Sequence, residues 1–468
     1  MQVRRLLLAG ALIAAVAPPL VAPASAETTT MTALALRFVP EQVSISQGGS
    51  VTFVNPDIAP HNVLSRQTTR KGVLLFTSDT IPTGGQTAVR GVEKLKPGAY
   101  PFYCSVHPAM VGTLTVAAPG STTFAMVPSA AVVPTATSIT SHGGALYATS
   151  YGAGTVSQIP VLPGGALGPA TPYATGFSSP LGIVFGPDGT AYVADSHLGA
   201  GGATVGRVRA LPPGGGAAAA VGRVVVDGLP NGRHNTNGLV VQGGRLYIAN
   251  GNSTDDGVAG GPAEQPLSGT VLSVPVGARD IDASRPTRAI TVEARGLRNV
   301  YDIAFRPGTT EMWATSNGPD ALDPYGEDLL HRFDVRGPAV DFGFPACVYA
   351  AGSNGPRVAQ NPAIAKPCDP RHRAPEALLG LHVSADGLAF APTTGGWAGE
   401  IVIAEFGSFN GVTGHAVVRV PVVDGRAGVP EEVAVTPAPL DLTFGPGGST
   451  LYVVDFTTGN ISLVLPVA

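Results

Sequence analysis

Short apolar segments of strand length, separated by turns rich in glycine and proline, run along almost the whole chain. Near the N-terminus such segments cover residues 34–38, 42–45 and 50–54, and Gly48 and Gly49 supply a turn between the last two. Runs of this length, bounded by turn residues, are typical of β-strands. The pattern therefore predicts an all-β protein.

From residue 135 onwards, one pattern recurs six times: an apolar strand, a Gly-rich turn, a second apolar strand and a polar residue. The copies lie at residues 138–150, 181–196, 237–251, 301–318, 386–407 and 440–455. Units of about 40–50 residues, some lengthened by insertions, are typical of the blades of a β-propeller. The repeat predicts a six-bladed β-propeller over residues 135–468.

The composition agrees with a turn-rich β protein of more than one domain. Charged residues make up only 13% of the 468 residues, whereas there are 62 glycines and 43 prolines. A chain of this length exceeds one ordinary domain. The net charge is -4 and no basic run is present, so a nucleic-acid partner is not expected.

Residues 1–26 have the features of a secretory signal peptide. Arg4 and Arg5 provide the positive start, residues 6–17 the apolar core, and residues 24–26 a small-residue cleavage site. The apolar core is too short to span a bilayer. We therefore expect a periplasmic or secreted protein without a stable membrane span, exported by either the Sec or the twin-arginine route.

The composition also predicts a boundary between two domains. Residues 118–134 are rich in Ala, Pro, Ser, Thr and Val and lack periodicity, which is typical of a linker. This assigns residues 27–117 to a first domain and residues 135–468 to the propeller.

A thiol, an imidazole and a thioether occur together in one loop of the first domain. Cys104, His107 and Met110 lie in one short Cys-x-x-His-x-x-Met loop, and His61 lies upstream beside another apolar segment. Two His and one Cys with a weak axial Met form the ligand set of a blue-copper electron-transfer site. The alternative is a buried structural Cys beside surface histidines. The spacing favours one copper ion held by these four residues.

With these ligands, residues 30–117 resemble the plastocyanin/amicyanin group of cupredoxins. The short spacing between His107 and Met110 is most similar to that of amicyanin. The resemblance implies a Greek-key β-sandwich with copper at one end and a redox partner protein. It also implies that electrons leave through the exposed edge of His107.

Residues 175–465 resemble the six-bladed sugar dehydrogenases that use pyrroloquinoline quinone, especially the sorbosone/glucose dehydrogenase group. The resemblance rests on Gly232-Arg-His-Asn-Thr-Asn-Gly238, Gly296-Leu-Arg-Asn-Val-Tyr-Asp302 and the acidic segment 316–328. It implies oxidation of a sugar or alcohol by the quinone, with His234 as the catalytic base. It also implies Arg298 and Asn299 as quinone contacts.

Each of these assignments has a structural alternative. His234 either takes a substrate hydroxyl proton or is a turn residue, and Arg298-Asn299 either holds the quinone or ties two blades. Asp323, Glu327 and Asp328 either bind a Ca²⁺ ion that polarises the quinone or form a solvated acidic loop.

Two cysteines remain after Cys104 is assigned to copper. Cys347 and Cys368 lie in the longest insertion of the repeat. Because an exported protein meets an oxidising compartment, we expect a disulfide between them, with two free thiols as the alternative.

Two hypotheses follow for the function of the whole chain. In the first, the propeller oxidises a sugar or alcohol with a quinone, and the tethered copper accepts the electrons. In the second, the propeller is a non-catalytic module that docks a partner or ligand of the copper protein. We expect the first, on the family resemblance, and keep the second as the alternative. Missing basic residues favour the alternative: Phe406 stands where the family often has His, and the segment 439–443 lacks arginine.

Overall fold

The computed structural model describes residues 28–467 apart from 35, 40–41, 70, 97, 118–122, 200, 323–324, 353–354, 393–396, 398 and 409–412. The predicted signal peptide therefore lies outside the described residues. Helices in the described part are single turns at Val92–Lys94, Pro163–Gly165 and Ala218–Val221. None of them is long and apolar enough to cross a membrane. The predicted all-β fold class is confirmed.

The N-terminal domain is a sandwich of two four-stranded sheets. In spatial order, the first sheet contains Arg37–Val39, Thr28–Leu34, Ser50–Asn55 and Gly85–Ala88. The second contains Gln42–Ser46, Val111–Ala117, Gly98–Tyr103 and Leu64–Ser65. Each sheet has one parallel pair among antiparallel ones.

Aromatic side chains fill the space between the two sheets. Phe38 packs edge-on against Phe102 and Phe53, with ring centroids 4.9 and 5.9 Å apart, and Phe76 packs against Phe102. All four rings are fully buried. Along Ser50–Asn55 every second residue points inward, as expected for a strand with one buried face. This packed core holds the loops at one end of the sandwich.

Six four-stranded antiparallel blades are present among the described residues from Thr123 onwards. We number them along the chain and give their strands from the inner to the outer edge. The strands are: blade 1, Ala136–His142, Ala145–Ser150, Thr155–Pro160, Thr171–Thr175; blade 2, Gly182–Phe185, Ala191–Leu198, Thr204–Leu211, Arg223–Pro230; blade 3, Thr236–Gln242, Arg245–Asn250, Thr270–Pro275, Thr291–Arg295; blade 4, Asn299–Phe305, Glu311–Asn317, Glu327–Asp334, Ala377–Leu381; blade 5, Ala385–Phe390, Glu400–Glu405, Ala416–Val423, Glu431–Val435; blade 6, Pro439–Phe444, Leu451–Asp455, Asn460–Val467, Thr123–Val132.

Smaller strands extend these blades. Two-residue strands at Gly216–Ala217, Ile281–Asp282 and Val340–Asp341 pair in parallel with the outer strands of blades 1, 2 and 3. Arg426–Ala427 pairs with the third strand of blade 5. A separate hairpin, Cys347–Gly352 with Gly355–Gln360, lies in the insertion of blade 4. Each inner strand contacts the next, and that of blade 6 contacts that of blade 1, so the predicted six-bladed ring is confirmed.

The predicted linker is largely a strand of the ring. Thr123–Val132 pairs antiparallel with Asn460–Val467 and forms the outer edge of blade 6, while residues 118–122 lie outside the described part. Phe124 stacks on Trp397 with ring centroids 4.0 Å apart, which buries apolar surface that a free linker would leave in water. Pro128 weakens the strand pattern in the sequence, but an outer strand tolerates proline because one edge carries no ladder.

The two domains also contact each other directly. The last strand of the sandwich, Val111–Ala117, lies against the outer strand of blade 5, Glu431–Val435. Only five residues separate that last strand from Thr123, so the sandwich is held close to blades 5 and 6.

Buried carboxylates join neighbouring blades near the ring axis. Asp302 accepts the backbone N–H of Leu388 at 2.9 Å, and Asp441 accepts that of Ile139 at 2.8 Å. Burial raises the pKa of Asp441 to about 6, and it raises the pKa of Asp302 well above its ordinary value. Because the unfolded carboxyl has a pKa near 3.8, the folded ring holds protons that the unfolded chain releases.

These two carboxyls should therefore contribute more stability at pH 4.5 than at pH 7. As pH rises from about 4 to about 6, Asp441 holds its proton in the folded state but not in the unfolded state, so its contribution to stability falls; above that range the loss from Asp441 is complete. For Asp441 the loss between pH 4.5 and 8 is about 2 kcal/mol. Thermal melting from pH 4.5 to 8 measures it. Asp441→Asn should flatten the profile, and an unchanged profile in that variant would exclude Asp441 as a source.

The insertion of blade 4 is closed by a disulfide between Cys347 and Cys368, as predicted. Mass measurement without reductant should therefore show two hydrogens fewer than the thiol form. Closing a loop of about 20 residues should stabilise the folded chain by about 3 kcal/mol, measured by denaturant unfolding with and without reductant. Two free thiols in the purified protein would contradict the pairing.

Candidate functional site

The four predicted copper ligands come from two loops at one end of the sandwich. Cys104 directly follows Gly98–Tyr103, and Met110 directly precedes Val111–Ala117. The loop between them is tight, because the N–H of Cys104 donates to the carbonyl of Met110 at 3.0 Å and the N–H of Met110 donates to that of His107 at 2.8 Å. The adjacent core strands thus set the positions of both sulfur residues.

His61, Cys104 and His107 converge on one point. Nδ1 of His61 lies 3.8 Å from Sγ of Cys104 and 3.1 Å from Nδ1 of His107. All three ligand atoms lie within 4.8 Å of one another. His61 and Cys104 are fully buried, Met110 is buried in the same core as Cys104, and His107 is half-buried. One thiolate, two imidazoles and a nearby thioether fit a type 1 copper ion.

Asn62, which the sequence reasoning did not single out, joins the two ligand loops. Its side-chain amide donates to Oγ of Ser105 at 2.8 Å and to Oγ1 of Thr80 at 2.9 Å. Its Oδ1 accepts the N–H of Ser105 at 2.8 Å. Since Asn62 and Ser105 are the immediate neighbours of His61 and Cys104, this clamp fixes two ligands before metal binds. The sequence signal that could have identified Asn62 was its position next to the ligand His61.

Asp57 orients the buried imidazole. Its Oδ2 lies 3.3 Å from Nε2 of His61, which leaves Nδ1 directed at the converging ligands. The pKa of Asp57 is lowered, first by the backbone N–H of Leu36, then by that of Ile58. Burial, followed by the charge of His107, lowers the pKa of His61. The carboxylate is therefore ionised and the imidazole neutral near pH 7, as a metal ligand requires.

Replacing Asp57 with asparagine should raise the reduction potential of bound copper by roughly tens of millivolts. The carboxylate favours the more positive Cu(II) state, and the amide keeps the shape without the charge. Redox titration followed in the visible band measures the change. Asp79→Asn, which removes an exposed carboxylate paired with Arg90, is the control. An unchanged potential in the Asp57 variant would exclude this role.

The same end of the sandwich carries exposed apolar side chains. Ile58, Leu36 and Val106 are 93%, 52% and 42% exposed. Leu36 and Ile58 flank Asp57 through their N–H groups, and Val106 precedes the half-exposed His107. An apolar rim around an accessible ligand edge suits transient contact with a redox protein.

The propeller brings together the predicted His234, Arg298 and Asn299. Nδ1 of His234 lies 2.7 Å from Oδ1 of Asn252, and the N–H of Asn252 donates to the carbonyl of Arg298. A side chain at Gly251 would meet both the Cβ of His234 and Oδ1 of Asn299. All of them therefore lie at one end of the ring, where blades 3 and 4 meet.

Arg298, however, is already paired. Its Nη2 and Nε donate to the carboxylate and the carbonyl of Asp255, and its Nη1 donates to the carbonyl of Asn317 at 3.2 Å. Arg298 is only 4% exposed. Arg233 lies 3.5 Å from Asp255 and also pairs with Asp320. Two arginines and two aspartates thus leave no net positive charge there.

Asn299, the neighbour of Arg298, takes part in hydrogen bonds between blades. The amide of Asn237 donates to Oδ1 of Asn299, the amide of Asn299 donates to Oδ1 of Asn317, and the amide of Asn317 donates to Asp386. This buried chain joins blades 3, 4 and 5. In the structure Arg298 and Asn299 therefore tie blades together, which was the alternative left open by the sequence.

His234 is a weak base in this environment. Burial, followed by the positive charge of Arg298, lowers its pKa to about 3. Its ring partner is an amide rather than a carboxylate. A general base works best when its pKa lies near the working pH, so His234 is uncharged near neutral pH but accepts a proton poorly.

These residues do not fit a carboxylated quinone in the arrangement shown. Its carboxylates need uncompensated cations, whereas Arg233 and Arg298 are both neutralised. The cavity beside Arg298, between Asn317, Glu327, His331 and Tyr349, measures about 20 Å³, which is room for one water. We therefore derive no catalytic step through a quinone.

The acidic residues considered for Ca²⁺ are not assembled into one cluster in the described part of the chain. Asp323 lies outside it. Asp328 is buried, and its two oxygens accept the N–H groups of Gly318 and Ala385. Glu327 is next to it in a strand, so its side chain points to the other face.

Comparison with known proteins identifies the class of the first domain. Residues 25–117 match the family of copper-binding proteins, plastocyanin/azurin family. Plastocyanin of Prochlorothrix hollandica is 35% identical over 101 residues, covering 20% of this chain and 77% of that protein. Chloroplastic plastocyanin of Physcomitrium patens is 35% identical over 114 residues, covering 21% of this chain and 61% of that protein. Through this domain the chain belongs to the plastocyanin/azurin family.

The propeller is similar in fold to solved sugar dehydrogenases. The pyranose dehydrogenase PQQ domain of Coprinopsis cinerea aligns with a TM-score of 0.57 at 16% identity, covering 73% of this chain and 95% of that one. The PQQ-bound aldose sugar dehydrogenase of Streptomyces coelicolor aligns with a TM-score of 0.52 at 18% identity, covering 74% and 98%. At these identities the likeness shows the shared fold alone.

Proposed function

We propose that this protein is an exported one-electron carrier in which a type 1 copper ion is held by His61, Cys104, His107 and Met110. The convergence of one thiolate and two imidazoles within 4.8 Å supports the proposal most directly. A site already clamped by Asn62 changes little between Cu(II) and Cu(I), which keeps one-electron transfer fast.

Copper addition tests the carrier function. The purified protein should bind one equivalent of Cu(II), show an intense visible band, and lose and regain that band on repeated reduction and oxidation. Nonspecific Cu(II) binding would instead be weak and would give only a faint visible band that does not bleach reversibly. That outcome would contradict the proposal.

The partner in this proposal is a redox protein that contacts the apolar rim formed by Leu36, Ile58 and Val106. The half-exposed edge of His107 would then be the point where electrons enter or leave. Export through residues 1–26 would place this exchange in the periplasm or outside the cell.

For the propeller, we propose a docking role that holds a partner or ligand near the copper domain. The charge balance at the ring end that carries Arg298 supports this role. The guanidinium of Arg298, which an anionic cofactor would need, is already paired with the carboxylate of Asp255. The contact between Val111–Ala117 and blade 5 keeps the docked partner close to the copper, which raises its effective concentration.

A second candidate is a dehydrogenase in which the propeller oxidises a sugar or alcohol with a pyrroloquinoline-type quinone and Ca²⁺, and the copper receives the electrons. The meeting of His234, Arg298 and Asn299 at one ring end favours it. Here His234 would be the base and the other two would contact the quinone. Loss of the copper colour after addition of quinone, Ca²⁺ and an aldose would support this candidate. Unchanged colour would contradict it and favour the docking role.

A further inference from the structure

A second group of soft and nitrogen ligand atoms lies in the insertion of blade 4. Cys347, which begins the hairpin strand Cys347–Gly352, is bonded to Cys368. Nδ1 of His372 lies 3.0 Å from Sγ of Cys347. The two sulfurs and this nitrogen all lie within 4.8 Å of one another. We call these three residues the insertion cluster.

The backbone holds the insertion cluster in place. The N–H of Cys347 donates to the carbonyl of Gly343 at 2.9 Å, and the N–H of His372 donates to that of Asp369 at 3.0 Å. Gly343 has a φ of 95°, and a Cβ there would lie 2.7 Å from Nδ1 of His372 and 2.9 Å from Sγ of Cys347. Glycine is thus required for imidazole and sulfur to approach.

A carboxylate lies behind the imidazole. Oδ1 of Asp341 is 3.6 Å from Nε2 of His372, and Asp341 is itself held by Nε of Arg295 at 2.9 Å and the N–H of Gly343 at 3.0 Å. A carboxylate beside the distal nitrogen of a histidine is the usual support of a metal-binding imidazole. This support leaves Nδ1 directed at the sulfurs.

We propose that the insertion cluster, once its disulfide is reduced, is a second metal site that binds one Cu(I) ion through Cys347, Cys368 and His372. A dithiol reductant supplies the two electrons: its thiols become a disulfide while the protein disulfide becomes two thiols. Cu(I) then replaces the two thiol protons, which are released. No change in the copper oxidation state is involved.

The donor set selects the ion. Thiolates are soft ligands that favour Cu(I), and two sulfurs with one imidazole complete a three-coordinate site. Cys347 is buried, while Cys368 and His372 are half-buried, so a reductant and a small ion can reach the cluster from one side. The oxidised disulfide offers no thiolate, so uptake depends on the redox state of the chain.

The test uses the full chain with Cys104→Ala, which removes a thiolate of the type 1 site. After reduction with a dithiol and its anaerobic removal, the protein is titrated with Cu(I) held by the chromogenic chelator bicinchoninate. The reduced protein should take one equivalent of Cu(I), and the oxidised protein none. X-ray absorption should show two sulfur ligands and one nitrogen ligand.

Replacing His372 with alanine should weaken Cu(I) binding about tenfold or more, whereas His142→Ala, a half-buried histidine in another blade, should not. Cys368→Ser should abolish uptake. Near-ultraviolet circular dichroism is measured before and after reduction. The proposal is overturned if reduction unfolds the insertion, if the reduced protein takes no Cu(I), or if His372→Ala binds as tightly as the parent.

Discussion

Replacing Cys104 with alanine should abolish both copper binding and the visible colour of the oxidised protein. The colour of a type 1 site comes from charge transfer between a thiolate and Cu(II), and Cys104 is the only sulfur among the three converging ligands. Without it, two imidazoles 3.1 Å apart form an ordinary weak nitrogen site. Metal analysis after dialysis and the visible spectrum measure the two losses. A variant that kept one tightly bound blue copper would rule out the site.

Met110→Leu is the matched control for that experiment. Met110 is as buried as Cys104 and lies in the same loop, so the two variants disturb similar packing. A weak axial thioether tunes the site without forming it. The Leu variant should therefore keep its copper and colour and show a higher reduction potential. Loss of copper in both variants would indicate collapse of the loop and would leave the role of the thiolate unproven.

Three of the four copper ligands could be predicted from the sequence because their geometry is local, whereas His61 comes from a distant loop. Cys104, His107 and Met110 lie within seven residues of one another, so any fold that closes the loop brings them together. The ring was predictable for a related reason, since a repeated unit predicts its own packing against copies of itself.

Other features depend on contacts between distant residues. Thr123–Val132 becomes a strand only because Asn460–Val467 presents a free edge more than 300 residues later, and its own pattern is too irregular to reveal this. Likewise, the sequence shows Arg298 but not that Asp255 pairs with it. Asn62 and Asp57 escaped notice because polar residues beside a ligand look like turn residues.

The pairing of Asp255 with Arg298 distinguishes the two proposed roles of the propeller. Asp255 is held by two arginines and by the N–H groups of Asp320 and Ala321, so its carboxylate stands where an anionic ligand would meet Arg298. We expect the wild-type protein to bind pyrroloquinoline quinone weakly and Asp255→Asn to bind it about ten- to a hundredfold more tightly, because a guanidinium becomes available.

Quinone fluorescence titration in the presence of Ca²⁺ measures this affinity in the wild type and in Asp255→Asn. Asp282→Asn, which removes an exposed carboxylate paired with Arg285, is the control and should bind like the wild type. Because Asp255→Asn leaves a buried arginine less well compensated, the thermal melting of this variant is measured as well.

Tight quinone binding by the wild type would support the dehydrogenase instead. A wild type that binds quinone tightly, and whose copper loses its colour when an aldose is added, is a dehydrogenase. In that case His234→Ala should lower turnover by about 10² to 10⁴ while the copper spectrum stays unchanged, as expected for loss of a general base.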